Sequence, residues 1–205
     1  MSERKRYPEH ERQYPWLGPL LETYHRTDRT VQKDLKKSGK KVACGKGCDV
    51  CCHNMGVPIT EPEVPAVSWY VVEMMRGETR DKLIREIEDF EPGQEKCPFL
   101  VDSACGIYAV RPLACRTFHV FNKKCQPGES IVDTRPQDFY IPPSAKLLEA
   151  SRPLFRHLGF LTSAEQDEAF HSGFLESISH ELNHMDWKTY LLNNISIYEA
   201  QSAST

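Results

Sequence analysis

The stretch Cys44-Gly-Lys-Gly-Cys48-Asp-Val-Cys51-Cys52-His53 places four cysteines within nine positions of a 205-residue chain. Four more form a second block, at Cys97, Cys105, Cys115 and Cys125, and the rest of the chain has none. Free thiols at this density are prone to oxidation and cross-linking, so proteins usually hold them in a metal site, a cluster or disulfides. We therefore expect the chemistry of this protein between residues 44 and 125.

The spacing within the first run suits a shared metal centre. Thiolates are the metal-binding form of cysteine, and several of them on one short loop lower the entropic cost of gathering ligands. Cys44, Cys48 and Cys51 can bind three irons of a cubane or three corners of a tetrahedron. Because the adjacent Cys52 points in another direction, the sequence indicates either two metal positions or a cluster with a neighbouring site.

All the cysteines are candidate metal ligands: Cys44, Cys48, Cys51, Cys52, Cys97, Cys105, Cys115 and Cys125. The set lacks the separated C-x2-C pairs of ordinary structural zinc sites, which favours an iron–sulfur cluster of the [4Fe-4S] type over zinc. Zinc stays open as the alternative cofactor. His53 and His119 are further candidates, as metal ligands or as hydrogen-bond partners of a thiolate, and a structural role is an equal alternative for each.

The composition is that of a globular protein without a strong electrostatic field. Lys and Arg number 26 against 29 Asp and Glu, so neither nucleic acid nor an anionic membrane is an expected partner. The first 16 residues lack the apolar segment of a secretory signal, and no apolar run approaches the roughly twenty residues that span a bilayer. We expect a cytoplasmic protein, and the reducing cytosol favours metal ligation over disulfides.

Helical periodicity predicts a mainly α fold. Apolar residues recur at helical spacing over 17–37, and Gly39 follows as a stop signal. The sequence Thr60-Glu61-Pro62-Glu63 is a capping box that opens a helix to about Arg76. Further helices are predicted over 79–90, 144–158, 162–174 and 175–192. We expect a flexible arm at 1–15, a single helical domain over 16–195 with the cysteine core at 44–125, and a frayed tail at 196–205.

The second cysteine block predicts two local structures. Residues 97–108 read as a short hairpin that turns at Asp102-Ser103. Arg111-Pro112 is expected to open a helix through Phe121, on which Arg111, Cys115 and His119 stand four residues apart on one face. Arg111 and Arg116 are expected to pair with carboxylates or carbonyls rather than to act catalytically.

Two segments together carry a family resemblance. The first is Cys44 to Cys52 with the following Val57-Pro-Ile-Thr-Glu-Pro-Glu63; the second contains Cys97-Pro-Phe-Leu, Cys105-Gly-Ile-Tyr108 and Arg111-Pro-Leu-Ala-Cys115-Arg116. With these segments the chain resembles the CxxCxxCC family of zinc- or iron-chelating proteins, also called YkgJ-type cysteine-cluster proteins. The resemblance implies metal ions as partners, with zinc and iron–sulfur both proposed. Some relatives resemble a lysine N-methylase that acts on flagellin, so a redox or protein-modifying activity with a protein substrate is one implied function.

The first gap of the cysteine run departs from the family pattern. It holds three residues, Gly-Lys-Gly, where the family name has two. The resulting C-x3-C-x2-C spacing is also that of the cluster loop in radical S-adenosylmethionine enzymes. Those enzymes need a long βα-repeat barrel, and this sequence shows no such repeat.

Two alternatives to a cluster enzyme stay open. One is a zinc-stabilised interaction module without catalysis. The other is a zinc hydrolase, because His180-Glu181-Leu182-Asn183-His184 satisfies H-E-x-x-H, in which a helix brings two histidines onto one face beside a general base. Few residues remain downstream to supply a third ligand, with Glu199 the principal carboxylate. The sequence alone does not decide whether the protein is an enzyme.

Overall fold

This computed structural model describes residues 5–45, 47–53, 56–191 and 193–194. Its helices are α1 (Pro8–Gln13), α2 (Leu17–Ser38), α3 (Val64–Trp69), α4 (Glu78–Glu88), α5 (Leu113–Thr117), α6 (Ile131–Thr134), α7 (Ser144–His157), α8 (Ser163–His171) and α9 (Phe174–Ser177). Its strands are β1 (Pro58–Thr60), β2 (Leu100–Val101), β3 (Ala104–Cys105), β4 (His119–Val120), β5 (Phe139–Tyr140) and β6 (Ser179–Glu181). The strands form three antiparallel pairs, β1–β6, β2–β3 and β4–β5. The prediction of a mainly α fold with a short hairpin is confirmed.

Helix α2 is the scaffold of the molecule and agrees with the helix predicted over 17–37. Its buried face carries Leu17, Leu20, Tyr24 and Val31 at helical spacing. It ends at Gly39, whose φ of 67° is a left-handed cap that a residue without a Cβ adopts at little cost. The helix packs against α7 along its length and against α5, which carries Cys115. No helix of the described residues is long and apolar enough to cross a membrane.

The core beneath the cysteine segments is aromatic and aliphatic. Phe99, which precedes β2, and Trp187 are both fully buried, with ring centroids 4.8 Å apart in an edge-to-face arrangement. Leu83 and Ile87 of α4 are buried in the same cluster. The indole N–H of Trp187 donates to the Leu182 carbonyl at 2.6 Å, so this large side chain is buried with its polar atom satisfied.

Glu63 is a buried carboxylate that connects three parts of the chain. Its Oε2 accepts hydrogen bonds from the N–H and the hydroxyl of Thr60, both at 3.0 Å. Its Oε1 accepts one from the Leu113 N–H at 2.7 Å and one from the Tyr24 hydroxyl at 3.1 Å. The capping box at Thr60 is thus confirmed, and the same carboxylate also caps the N-terminus of α5. Burial raises the pKa of Glu63, while these hydrogen bonds oppose that rise.

The C-terminal third departs from the sequence prediction. Residues 175–192 do not form one helix, because α9 ends at Ser177 and Ser179–Glu181 pair as β6 with β1, Ile59 opposite His180. Backbone bonds from Glu61 to Ile178 and from Leu182 to Val57 extend this pairing. The helical pattern of residues 175–192 reflects local helix propensity. The backbone N–H and C=O groups of β1 need partners, and residues 179–181 satisfy them as a strand. This tertiary pairing overrides the local helix propensity. Helices 144–158 and 162–174 are confirmed in α7 and α8 with small shifts of their ends.

The N-terminal arm is more structured than predicted, and the tail lies outside the described residues. Residues 8–13 form α1, which begins with a proline in its first turn. The side chain of Glu11 accepts a bond from the Tyr7 N–H at 3.1 Å, and Tyr7 and Tyr14 pack against the main core. The predicted frayed tail at 196–205 is not part of the structure described.

We predict that Glu63→Gln destabilises the fold. A glutamine offers one acceptor where the carboxylate offers two, so its amide group faces the Thr60 N–H without accepting a bond. The expected loss is about 1–3 kcal/mol of unfolding free energy, measured by chemical denaturation. The matched control is Glu61→Gln, two residues away and 65% exposed, for which a change within about 0.5 kcal/mol is expected. Equal effects of the two substitutions would contradict the role of Glu63.

Candidate metal centre

The start of the first cysteine run is attached to the chain that follows Cys115. The Ala43 N–H donates to the Val120 carbonyl at 2.8 Å, and Val42 forms an antiparallel bridge with Phe121. The Val120 N–H in turn donates to the Cys44 sulfur at 3.3 Å. These contacts hold Cys44 against β4, and none of them requires a metal ion bound to its sulfur.

The end of the first run is attached to the start of the second block. Val50–Cys52 form a short 3-10 turn, and the Cys52 carbonyl accepts the Cys97 N–H at 2.7 Å. His53 and Lys96 form an isolated antiparallel bridge next to that bond. The two blocks, which are 45 residues apart at Cys52 and Cys97, therefore meet through backbone hydrogen bonds.

The remaining cysteines lie on three different elements. Cys105 is in β3, paired with Leu100 of β2, in the predicted hairpin around Asp102 and Ser103. Those two turn residues have φ of 48° and 56°, as a tight hairpin turn requires. Cys115 lies in α5, while Cys125 follows β4 in a loop.

The loop that contains Cys125 is fixed by Arg135, a residue that the sequence analysis did not single out. Its guanidinium donates to the Lys123 carbonyl at 3.1 Å and the Lys124 carbonyl at 3.4 Å. The same group pairs with Glu129 at 2.8 Å and Asp138 at 3.1 Å. A planar guanidinium that serves backbone and carboxylate acceptors together orients a loop that has no regular structure of its own. No local sequence pattern marks this arginine, because its partners come from several segments.

The thiols of the first cysteine run and of Cys125 affect one another's pKa. Burial raises the pKa of the Cys44 thiol to about 11, although the Val120 N–H opposes the rise. Cys48, Cys125 and Cys51 add to it as neighbouring charges. Burial also raises the pKa of Cys125, and its cysteine neighbours are again Cys48 and Cys51.

A second group of thiols surrounds Cys52. The adjacent thiols of Cys51 and Cys52 interact, which raises the pKa of Cys51 and lowers that of Cys52. Interaction with Cys97, together with burial and the neighbouring Cys105, nevertheless leaves the pKa of Cys52 raised to about 12. Burial raises the pKa of Cys115, whose nearest charged neighbours include Cys105, Cys51 and Cys52.

The interactions thus divide the thiols into two sets that meet at the adjacent pair. One set contains Cys44, Cys48 and Cys125, and the other contains Cys52, Cys97, Cys105 and Cys115. Cys51 is a neighbour of members of both sets. Cys51 and Cys52 share Cys105 and Cys115 as neighbours, and their assignment to different metal positions stays a prediction.

The eight cysteine thiols are suitable ligands for a soft metal ion. All eight cysteines are free and each is partly buried, so no disulfide competes for them. Their thiols lie in surroundings that disfavour isolated negative charge, which a bound cation reverses. Within the residues that the structure describes, no three His, Cys, Asp or Glu side chains are already positioned around one point suited to an ion. Binding of one ion by three or more of these cysteines therefore requires their side chains to rotate.

The two histidines proposed near the site differ in their surroundings. His53 is half exposed, and its Nε2 lies 3.6 Å from an Asp49 oxygen. His119 lies in β4 rather than on a helix, because α5 ends at Thr117. Arg111, Cys115 and His119 therefore do not share one helical face, and that prediction is wrong. Burial lowers the pKa of His119, and its buried Nδ1 has no hydrogen-bond partner within the described part of the chain.

Arg116 is a structural residue beside the thiols. It is 3% exposed and its guanidinium bonds Asp28 at 2.6 Å, the Arg111 carbonyl at 2.9 Å and the Ala109 carbonyl at 2.6 Å. It also lies over the Tyr24 ring at 3.9 Å from the centroid. Arg111 is 3.7 Å from the same Asp28 carboxylate. The prediction that both arginines pair with carboxylates or carbonyls is confirmed, and both lower the pKa of Cys105, opposing its rise by burial.

A cavity of about 190 Å³ lies next to this arginine. Tyr24, Tyr70 and Arg116 are among the residues that line it. Burial raises the pKa of Tyr70, and Cys105 is one of the charged neighbours that add to the rise. None of the described residues that line this cavity is a cysteine, and Arg116, which follows Cys115 in α5, connects it to the cysteine segment.

The H-E-x-x-H motif lacks the geometry of a zinc hydrolase. His180 and Glu181 lie in β6 and His184 ends a 3-10 turn, so the two histidines do not stand one turn apart on an α-helix. His180 faces Glu61 at 3.7 Å, while His184 lies 3.1 Å from Glu181. Both histidines are more than half exposed. The prediction of a helix here is wrong for the reason given above, the pairing of β6 with β1.

Comparison with known proteins agrees with the centre just described. Residues 43–135 match the model of the CxxCxxCC family, which is described as a "putative zinc- or iron-chelating domain". The match begins one residue before Cys44 and ends at Arg135, so it contains all eight cysteines and the arginine that fixes the Cys125 loop. No curated protein and no solved structure matches the chain.

We predict that Arg116→Lys destabilises the support of the centre. A lysine cannot reproduce the three guanidinium bonds, so buried carbonyl groups lose their donor. The expected loss is about 2–4 kcal/mol of unfolding free energy, measured by denaturation of the protein after metal removal so that ligand binding does not contribute. The matched control is Arg26→Lys on α2, where an exposed arginine pairs with Glu22 at 2.8 Å. For this control a change within about 0.5 kcal/mol of unfolding free energy is expected. A variant as stable as the control would contradict the structural role of Arg116.

Proposed function

We propose that the cysteines hold two metal positions, with Cys51 and Cys52 at their junction. The first position would use Cys44, Cys48, Cys51 and Cys125, and the second Cys52, Cys97, Cys105 and Cys115. The observation that carries this proposal is the pattern of backbone bonds between the segments. The Lys41 carbonyl accepts the Asn122 N–H at 2.7 Å, which brings the chain before Cys125 to the start of the first run, and the Cys52 carbonyl accepts the Cys97 N–H at 2.7 Å. The zinc- or iron-chelating description of the matched family supports a metal as the resident cofactor.

An iron–sulfur cluster is proposed for the first position. Its three cysteines on one loop with C-x3-C-x2-C spacing suit a cubane, completed by a thiolate from a distant loop. The second position contains four thiolates, three from the second block and one from Cys52, a set that suits a second cluster or tetrahedral zinc. When bound, such a cluster supplies one-electron chemistry, whereas zinc in a four-cysteine site supplies folding energy.

The chain contributes hydrogen bonds and charge to these positions. The Val120 N–H donates to the Cys44 sulfur, and such a bond stabilises thiolate charge. Arg111 and Arg116 lie near Cys105 and offset negative charge at the second position. We propose a reducing compartment such as the cytoplasm for this protein, and the free thiols support that proposal.

A redox or protein-modifying activity is proposed as the use of the centre, since the cavity lined by Arg116, the residue that follows Cys115, provides space for a reacting group near the second position. The alternative is a zinc-stabilised interaction module without catalysis, for which the same four-cysteine sets suffice. The two proposals differ in the metal that the protein contains after purification.

We predict that protein purified without oxygen contains iron and acid-labile sulfide and absorbs broadly at roughly 400 nm. Removing the metal with acid and chelator is expected to reduce helical circular dichroism, because metal-binding energy is partly folding energy. Elemental analysis of the same sample gives the number of ions per chain. A colourless preparation with zinc as its metal would exclude the cluster and favour the interaction module.

We also predict that Cys125→Ser and Cys115→Ser remove different metal positions. These substitutions change one sulfur to oxygen on two elements of the same site, so each serves as the matched control of the other. Cys125→Ser is expected to lose the metal of the first position and to keep that of the second, and Cys115→Ser the reverse, as measured by metal content and by rate of loss to a chelator. If either substitution removes all the metal, the thiols form one centre. If neither lowers metal content, these cysteines are not ligands.

A further inference from the structure

A second cavity, of about 400 Å³, lies between α1, α3 and a helical turn that contains Tyr190, in residues 187–191. Four aromatic side chains line it: Tyr14, Trp16, Trp69 and Tyr190. None of the eight cysteines is among the described residues that line it, so the metal centre does not account for this cavity.

The lining carries negative charge. Glu73 is its one carboxylate, and no lysine or arginine is found among the described lining residues. The carboxylate is 12% exposed; it accepts the Tyr14 hydroxyl at 2.5 Å and lies 3.3 Å from His10 Nε2. A hydroxyl donor orients a carboxylate without cancelling its charge, and a largely buried charge is screened less than one in water. The cavity therefore has a fixed anionic group beside aromatic walls.

Aromatic rings and a carboxylate together select one class of ligand. The faces of tyrosine and tryptophan rings attract cations within about 6 Å of the ring centroid. Tyr14 and Trp16 have centroids 5.7 Å apart and planes inclined by 36°, so they form two adjoining walls. Hard metal ions in proteins are usually bound by several carboxylates, whereas Glu73 is the single carboxylate among the described lining residues and the other side-chain oxygens are neutral hydroxyls and amides. An alkylated ammonium is weakly hydrated and gains most from aromatic contact.

From these observations we propose that this cavity binds a trimethylammonium group. Trp16, Tyr14 and Tyr190 provide the aromatic contact, and Glu73 provides the countercharge. Tyr190 is 37% exposed, so the cavity is accessible from solvent on that side. The group belongs either to a small quaternary amine such as choline or to a trimethylated lysine side chain, and both present the same head to the cavity.

The proposal is tested with choline and its neutral isostere, 3,3-dimethyl-1-butanol, which has the same shape without the charge. Binding to the purified metal-loaded protein is followed by tryptophan fluorescence and calorimetry, with both compounds in the same buffer. Choline is expected to bind about tenfold or more tightly than the isostere. Equal affinity for the two compounds, or no saturation by choline or trimethyllysine up to roughly 10 mM, would overturn the proposal.

Variants separate charge from shape. Glu73→Gln is expected to weaken choline binding about tenfold and to leave the isostere unaffected, while Glu61→Gln, an exposed carboxylate outside the cavity, changes neither. Tyr190→Phe keeps the ring and is expected to retain binding, whereas Tyr190→Leu weakens it severalfold; equal binding by both would overturn the aromatic role. A peptide with trimethyllysine is compared with choline in the same assay. Tighter peptide binding identifies a protein side chain as the ligand, and tighter choline binding identifies a small amine.

Discussion

The carboxylate of Glu63 lies where the scaffold helix, the strand β1 and the cysteine-bearing helix α5 meet. It is 1% exposed and accepts four hydrogen bonds, from two atoms of Thr60, from Tyr24 and from Leu113. Burial opposes its charge, so the group is tolerated only because all four donors converge on it. This convergence fixes the position of α5, and with it Cys115, relative to α2. The side chain that opens one helix thus also determines where one of the thiols lies.

The framework around the thiols is built from backbone and arginine contacts rather than from sulfur. Val42 and His53 bridge to the second block at the two ends of the first run, and Arg135 orders the loop of Cys125. These contacts bring the cysteine segments together without depending wholly on a metal. The cysteines are partly buried, and burial disfavours their negatively charged thiolate form when no metal is bound. A cation that binds this centre relieves an electrostatic cost which the fold itself imposes.

The accuracy of the sequence prediction followed the range of the interactions involved. Helix α2, the capping box at Thr60 and the turn at Asp102-Ser103 were predicted correctly, because each depends on residues within a few positions of one another. The helix expected through Phe121 ends at Thr117, where His119 and Val120 pair instead with Tyr140 and Phe139. Residues 179–181 likewise pair with β1. Both errors arise where a distant strand satisfies backbone groups that a local pattern assigned to a helix.

By itself, the sequence determined the number and spacing of the thiols, the mainly helical class and the pairing tendency of Arg111 and Arg116. Only the tertiary structure decided which segments lie beside the first cysteine run, that Glu63 caps two helices, and that His180 and His184 lie off any α-helix. The physical reason is that spacing fixes what neighbours along the chain can do, whereas the attachment of the first run to the chain before Cys125 depends on backbone hydrogen bonds between segments about 80 residues apart.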